Sequence, residues 1–167
     1  MNRRTMLFVL SAAVAGLGIA GDASAQATKR VAGTYAPVSV LTVDASGNKT
    51  DVFGPRPRGQ LTFTSDGRYS LILMRASLPK FASKSRLKGT ADENKEVVAG
   101  SIAHFGRYTI DEKAGTVTFH VESSTYPNWD GEPQTRPFTA KGDTFVYKVA
   151  AVSGGTGSGE VTWKRIK

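Results

Sequence analysis

The sequence predicts an all-β domain, an eight-stranded up-and-down antiparallel barrel. Short β-rich runs with alternating apolar and polar residues recur along most of the chain. Clusters of turn residues separate them, a spacing typical of an antiparallel barrel or a sandwich. Eight such runs are present, and eight is the number at which a closed meander leaves room for one small ligand.

The predicted strands follow one another with short connections. They span residues 35–43, 60–64, 68–74, 103–110, 116–123, 135–140, 144–149 and 160–166. The first ends at a turn cluster over 44–48, and the next two flank Asp66-Gly67, a strong signal for a tight hairpin. Glycine-containing turns at 111–115 and 141–143 join later pairs, and a Gly/Ser-rich loop at 153–159 precedes the last strand.

One connection is too long for a hairpin. Residues 77–100 separate the third and fourth predicted strands, and residues 91–99 within them are predicted to form a short helix. Asp92 is the expected N-cap, and Glu93 is a favourable acid in the first turn. The segment is either a disordered insert or a lid or plug over the barrel mouth; loops of this length in compact domains are often functional, which favours the second.

Residues 1–25 predict a signal peptide, with a charged start, an apolar run and the cleavage pattern Ala23-Ser24-Ala25. Arg3-Arg4 also resembles a twin-arginine signal; an ordinary secretory signal and an uncleaved anchor are the alternatives. Cleavage would leave residues 26–167, which are 167 − 25 = 142 residues, enough for a single domain. We therefore expect a periplasmic or secreted protein with no integral membrane span after cleavage.

The composition excludes several kinds of chemistry. The chain has no cysteine, which rules out disulfides, thiol nucleophiles and thiolate metal sites. It has only two histidines, His104 and His120, so we expect no metal site built from several imidazoles. Because no phosphate-binding loop or Ser-His-Asp order is present either, we predict no cofactor.

The charge is strongly positive, +8 for the whole chain. Without Arg3, Arg4 and Asp22 the balance is 20 − 13 = +7. Such a surface favours weak association with anionic surfaces or carboxylate ligands, although a role in solubility alone is the alternative. No nucleic-acid partner is expected, because the chain carries no recognisable nucleic-acid motif.

A series of short motifs, in order, resembles the bacterial and fungal lipocalin-like domain family over about residues 31–166. The motifs are Gly33-Thr34-Tyr35 and residues 53–59, 65–70, 105–108, 126–131, 136–138 and 163–165. The resemblance implies an up-and-down calycin-type barrel in which Gly33 and Tyr35 take the place of the lipocalin Gly-x-Trp motif. It also implies that Arg165 lies across Tyr35 and closes the barrel base through a cation–π contact and hydrogen bonds.

This chain departs from the family pattern at two positions. Tyr35 stands where lipocalins have tryptophan, and Phe119 stands where a second histidine often precedes His120. A role that needs paired imidazoles is therefore not expected. The resemblance implies a fold and no particular activity.

The connection between the fifth and sixth predicted strands is unusually rich in aromatic and hydrogen-bonding groups. Together with neighbouring positions it supplies the predicted ligand-binding residues: Arg107, Tyr108, His120, Glu122, Asn128, Trp129 and Arg136. Adjacent strands would let them converge on one pocket. The alternative is a buried network, such as Arg107 or Arg136 with Glu122, that holds the strand register. Trp129 either plugs the barrel end or stacks on a ligand.

Three functions are compatible with these residues. The favoured one is a carrier that binds a small hydrophobic or amphipathic molecule, with Arg107, His120 and Arg136 orienting its polar or anionic end. The second is an isomerase or cyclase using His120 and Glu122 as an acid–base pair, which requires both side chains to face a cavity. The third is a structural or envelope-interaction protein whose barrel is packed solid.

Overall fold

The computed structural model describes residues 26–166, and its strands form one antiparallel sheet that closes on itself. The strands are β1 (Gly33–Val43), β2 (Lys49–Asp51), β3 (Arg58–Phe63), β4 (Arg68–Met74), β5 (Ser101–Asp111), β6 (Thr116–Ser124), β7 (Pro133–Lys141), β8 (Thr144–Val149) and β9 (Ser158–Arg165). The predicted signal peptide and its cleavage site precede the described residues.

Pairing between β1 and β9 closes the barrel. Eight strands follow one another around it, β1 and then β3 to β9, all antiparallel. The prediction of an eight-stranded up-and-down barrel is therefore confirmed. Strand β2, three residues that pair with the end of β1, was not predicted, because all three are polar and exposed.

Alternation along the strands directs one set of side chains inward. On β6, for example, Val117, Phe119 and Val121 are buried. His120 and Glu122, which alternate with them, are exposed. The largest wholly buried side chains are Trp163, Tyr35, Phe63, Phe119, Phe145 and Leu61. The rings of Tyr35 and Phe145 each pack edge to face on that of Phe63, so aromatic groups fill this part of the barrel.

A short helix, α1 (residues 26–31), covers the base of the barrel. Its Ala27 and Val31 side chains are buried in the core. The Tyr35 hydroxyl donates a hydrogen bond of 2.7 Å to the Val31 carbonyl oxygen, and the Tyr108 hydroxyl lies 3.2 Å from the Thr28 carbonyl oxygen. The helix therefore plugs this end with apolar side chains and uses its carbonyl groups as acceptors.

Arg165, near the end of β9, lies across the Tyr35 ring with its guanidinium carbon 4.7 Å from the ring centroid. It donates to the Ala32 carbonyl oxygen at 2.5 Å, to that of Arg30 at 3.2 Å and to the Tyr35 hydroxyl at 2.5 Å. Gly33 leaves space for it, because a Cβ atom at this position would overlap Arg165 Nη1. We call Gly33, Tyr35 and Arg165 the base latch.

The opposite end of the barrel, the mouth, carries the longer connections. The one between β4 and β5 contains helix α2 (Ala91–Ala99), which confirms the short helix expected there. Its N-cap is Thr90, however, and not Asp92: the Thr90 hydroxyl accepts from the Glu93 amide, and the Glu93 carboxylate accepts from the Thr90 amide. This reciprocal capping box satisfies two amide groups, which an Asp92 cap would leave unpaired.

Helix α2 buries none of its residues, and its link to the barrel is polar. The Arg75 guanidinium pairs with the Glu96 carboxylate at 3.1 Å and donates to the Val52 carbonyl oxygen at 3.1 Å. Neither helix in residues 26–166 has the length and apolar character needed to cross a membrane.

Removing the Thr90 cap is expected to loosen α2 without unfolding the barrel. Thr90→Ala should lower the local stability of the helix by about 1 kcal/mol, because an N-cap acceptor is lost. Amide hydrogen exchange within α2 should accelerate about fivefold while exchange in β5 and β6 stays unchanged. Asp92→Ala is the matched control. A larger effect from Asp92→Ala than from Thr90→Ala would contradict the assignment of the cap.

Candidate ligand site at the barrel mouth

The structure divides the seven predicted ligand-binding residues among the barrel interior, the turn after β6 and the outer face of the barrel. Tyr108 and Arg136 point inward and are buried. Trp129 is half-buried and Asn128 exposed, both on the short 3-10 turn Pro127–Trp129 that follows β6. The remaining three, Arg107, His120 and Glu122, are exposed on the outer face of the barrel.

The outward direction of these three residues follows from their buried neighbours. Tyr108 on β5 and Phe119 on β6 face each other inside the barrel, so Arg107 and His120, which also pair across the strands, face outward. A bulge in the β5–β6 pairing inserts Glu122 as an extra residue on β6. Because all three are on the wet face, none of them lines the interior.

The outer residues form surface contacts instead. His120 Nε2 is 3.3 Å from the Thr109 hydroxyl, and the Glu122 carboxylate is 3.4 Å from the Arg68 guanidinium. Glu122 therefore pairs with Arg68, and the predicted network with Arg107 or Arg136 does not form. The acid–base hypothesis required inward side chains beside a cavity, and the structure does not meet that requirement.

Tyr108 lies inside the barrel but near the base. Its hydroxyl lies 2.9 Å from the Thr64 carbonyl oxygen and close to that of Thr28, and burial raises its pKa. Its ring packs 4.5 Å from that of Phe63. Tyr108 thus joins α1 to the barrel wall and does not face the mouth.

Arg136, on β7, points into the upper half of the barrel and is only 8% exposed. Its guanidinium carbon lies 5.0 Å from the ring centroid of Tyr147, 5.6 Å from that of Phe119 and 5.9 Å from that of Trp129. Gln134 Oε1 accepts a hydrogen bond from Arg136 Nη2. The ion pairs found within residues 26–166 do not include Arg136, so its charge is buried without a carboxylate.

His104, which was not among the predicted ligand residues, is buried beside this arginine. The Tyr69 hydroxyl is 2.8 Å from His104 Nδ1, and the imidazole packs edge to face against Trp129 with 5.5 Å between centroids. Burial, with a smaller effect of the Arg136 charge, lowers the pKa of His104 to about 3. The imidazole is therefore neutral at neutral pH.

Two buried tyrosines complete the cluster. Burial raises the pKa of Tyr69 and of Tyr147, and the Arg136 charge opposes the rise in both. The buried Trp163 indole N–H has no hydrogen-bond acceptor within residues 26–166. It lies beside the Tyr147 hydroxyl and also opposes the rise in the pKa of Tyr147. We call Tyr69, His104, Arg136 and Tyr147, with the Phe119 and Trp129 rings, the mouth cluster.

A groove of about 270 Å³ leads from solvent to Arg136. It is lined by Trp129, Glu132, Gln134, Thr135, Arg136, Val149, Ala150 and Ala151. Trp129 is held at its rim by the turn after β6, where the Asp130 carboxylate accepts from the Ser124 amide at 2.7 Å and the Tyr126 ring packs edge to face on the indole. The mouth is thus open above the cluster, while the base is packed.

A second groove at the same end, about 510 Å³, lies between residues 51–56 and 75–77. Arg75 in its wall is already engaged by Glu96 and the Val52 carbonyl group. Within residues 26–166, no cluster of three or more histidine and acidic side chains is placed to hold a metal ion. The mouth cluster therefore remains the site with a buried, available polar group.

Stability is expected to fall on acidification through His104. Its pKa is about 3 in the folded protein and 6.5 when unfolded, so between these values the unfolded chain binds the additional proton. The free energy of unfolding should therefore fall by up to about 1.4 kcal/mol for each pH unit below 6.5. Urea titrations between pH 7.5 and 4.5 measure this slope. His104→Phe should flatten it and His120→Gln, at an exposed site, should not; equal slopes for wild type and His104→Phe would contradict the assignment.

Comparison with known proteins gives the family. A model of the lipocalin-like domain matches residues 32–166, almost the whole described chain. The chain belongs to the lipocalin-like domain family. This lipocalin-like protein is also 30% identical over 106 residues to the 4'-hydroxy-3'-methoxypropiophenone carrier protein ppsC of Aspergillus oryzae. That match covers 58% of this chain and 96% of the relative. The family and the carrier-type relative together suggest small-molecule binding.

Proposed function

We propose that this protein is an exported carrier that binds a small, partly apolar molecule at the barrel mouth, with the polar or anionic end of the ligand on Arg136. The observation that carries the proposal is Arg136, a residue that is 8% exposed, has no carboxylate partner within residues 26–166, and lines a groove open to solvent.

A buried charge of this kind is costly for the folded protein. Removing an ion from water costs several kcal/mol in real proteins unless a partner compensates. The rings of Tyr147, Phe119 and Trp129 offset part of that cost through cation–π contacts of roughly 1–2 kcal/mol each when desolvated. Gln134 accepts one of the five N–H donors of the side chain, which leaves others to meet a ligand oxygen.

The walls of the site limit the size of the ligand. The groove volume is just below the roughly 300–1,000 Å³ of drug-sized pockets, and aromatic side chains fill the barrel beneath it. A molecule with one ring therefore fits better than a long lipid chain. The Trp129 indole in the groove lining supplies a flat apolar surface for such a ring, and Val149, Ala150 and Ala151 add aliphatic wall.

The relative in Aspergillus oryzae supports the same class of ligand. Its name describes a carrier for a hydroxylated and methoxylated aromatic ketone. A molecule of that class has an aromatic body and oxygen atoms at both ends, which matches a groove lined by the Trp129 indole, by aliphatic side chains and by one buried cation. We therefore propose single-ring phenols, aryl ketones and aryl carboxylates as the ligands of this protein.

Export is the second part of the proposal, and residues 1–25 support it through their charged start, apolar run and Ala23-Ser24-Ala25 motif. Cleavage after Ala25 would place the new N-terminus at Gln26, directly before the buried residue Ala27 of α1. N-terminal sequencing of protein secreted from a bacterial host tests this. A mature chain that starts at Gln26 supports export, and an intact Met1 in the cytoplasm contradicts it.

The test of binding is an equilibrium titration with 4'-hydroxy-3'-methoxypropiophenone, followed by tryptophan fluorescence and by calorimetry. We expect a single saturable site and quenching that comes from Trp129, so Trp129→Phe should remove most of the fluorescence change. Palmitate, a long anionic chain, is the comparison ligand and should bind at least tenfold more weakly. Absence of saturable heat with any single-ring phenol, ketone or carboxylate would reject the proposal and favour a packed structural barrel.

A further inference from the structure

We propose that the mouth cluster takes up a phenolic ligand as the phenolate, so that the barrel selects ligands with an acidic aromatic hydroxyl group. This inference rests on the proposed function, because it concerns the ionisation state of a ligand bound at Arg136. It goes further in naming the chemical group and the charge that the site recognises.

The first support is the charge inside the barrel. Arg136 is the only side chain carrying a full charge at neutral pH that is buried within residues 26–166. The other titratable members of the mouth cluster are neutral: burial disfavours the charged form of His104, Tyr69 and Tyr147 alike. The cluster as a whole therefore has a charge of +1 and no internal anion to balance it.

The surrounding elements do not supply that anion. Glu132 lines the rim of the groove but is exposed, and water screens its charge. Glu122 of β6 is on the outer face and pairs with Arg68. Asp130 of the turn after β6 accepts from the Ser124 amide. A ligand anion is thus the group that would neutralise the buried guanidinium.

A phenol with an acyl group para to its hydroxyl suits this site chemically. Loss of the hydroxyl proton to the solvent breaks the O–H bond and leaves an oxygen whose negative charge is delocalised into the ring and the ketone. That oxygen can accept hydrogen bonds from the guanidinium in a charge-assisted pair. An opposite charge within about 4–6 Å lowers the pKa of an acid by about 1–3 units, and partial desolvation in an open groove offsets some of this.

The ultraviolet spectrum of the ligand reports its ionisation directly, because the phenolate of an acyl phenol absorbs at longer wavelength than the phenol. We would titrate 4'-hydroxy-3'-methoxypropiophenone with pH, free and with saturating protein. The pKa of the bound ligand is expected to be lower than that of the free ligand by about one unit or more. Protein alone, and protein with 3',4'-dimethoxypropiophenone, which has no phenolic proton, provide the spectral baselines.

Two variants locate the effect. Arg136→Gln should remove the shift in ligand pKa, and Arg136→Lys, which keeps the charge without the planar fork, should retain a shift at lower affinity. Arg107→Gln is the matched control, because Arg107 is exposed on the outer face, and its shift should equal that of wild type. Circular dichroism and melting temperature verify that each variant is folded.

Three outcomes are distinguishable. The inference is supported if the phenol binds saturably with a red-shifted spectrum and the dimethoxy compound binds at least tenfold more weakly. Saturable binding with an unshifted ligand pKa overturns the inference and leaves the proposed function standing, since the ketone would then be the end that contacts Arg136. No binding by calorimetry overturns both.

Discussion

Arg136→Met is expected to weaken binding of an aromatic ligand by about 30-fold or more without destabilising the barrel. Truncating a buried charge that contacts its partner costs roughly 2–5 kcal/mol of binding free energy. The same substitution replaces an uncompensated ion by an apolar chain among the Phe119, Trp129 and Tyr147 rings. The free energy of unfolding should therefore stay level or rise by about 1 kcal/mol.

Calorimetry and urea denaturation on the same preparation measure both quantities. Arg107→Met is the matched control, since Arg107 faces solvent, and it should change neither by more than about 0.5 kcal/mol. A variant that is more stable and binds less shows that the arginine is kept for the ligand. If Arg136→Met lost several kcal/mol of stability instead, the arginine would be a structural element of the upper barrel, and the site would have to be placed elsewhere.

Gly33→Ala is expected to lower the free energy of unfolding by about 3 kcal/mol. Gly33 has a φ of +149°, which side chains rarely adopt, and a Cβ atom there would overlap Arg165 Nη1. Arg165 would have to leave its position over Tyr35 and give up donors to the Ala32 and Arg30 carbonyl oxygens. Hydrogen bonds to charged groups contribute about 1.5–3 kcal/mol each, so the loss is larger than backbone strain alone.

Gly47→Ala separates strain from the loss of the base latch. Gly47 also has a positive φ, +83°, but lies in an exposed turn with nothing within 4 Å of an added Cβ. It should cost about 1 kcal/mol. In a double-mutant cycle, Gly33→Ala in an Arg165→Ala background should cost no more than Gly47→Ala. Equal costs for Gly33→Ala and Gly47→Ala in the wild-type background would show that Arg165 does not close the base as described.

The architecture could be predicted because each strand carries its own alternation and each hairpin its own turn residues. The strand inventory and the helix in the long connection were readable for that reason. Helix α1 was missed although a signal was present, since Ala27 and Val31 have the i, i+4 spacing of one helix face. The cap of α2 was misplaced by two residues because a capping box at Thr90 and Glu93 was overlooked.

The site was harder to predict because it depends on which face of each strand is buried. On β5 the apolar Phe105 is 49% exposed, while the polar His104 before it is buried. Residue polarity alone would therefore predict the wrong face of β5 to be buried. Counting back from Tyr108 in steps of two would have found His104. Likewise, Val117 pairs with Arg136 across β6 and β7, and an inward valine implies an inward arginine. Register, which local sequence does not determine, decides these cases.

A ligand that enters the barrel mouth is expected to contact Arg136. The most direct test follows the Arg136 Nε–H and Trp129 indole N–H signals by nitrogen-15 nuclear magnetic resonance while 4'-hydroxy-3'-methoxypropiophenone is added. Both signals should shift and saturate together, with the Trp163 indole and the His120 signals unchanged. Saturable shifts at His120 and Arg107 with none at Arg136 would place the ligand on the outer face and contradict the account.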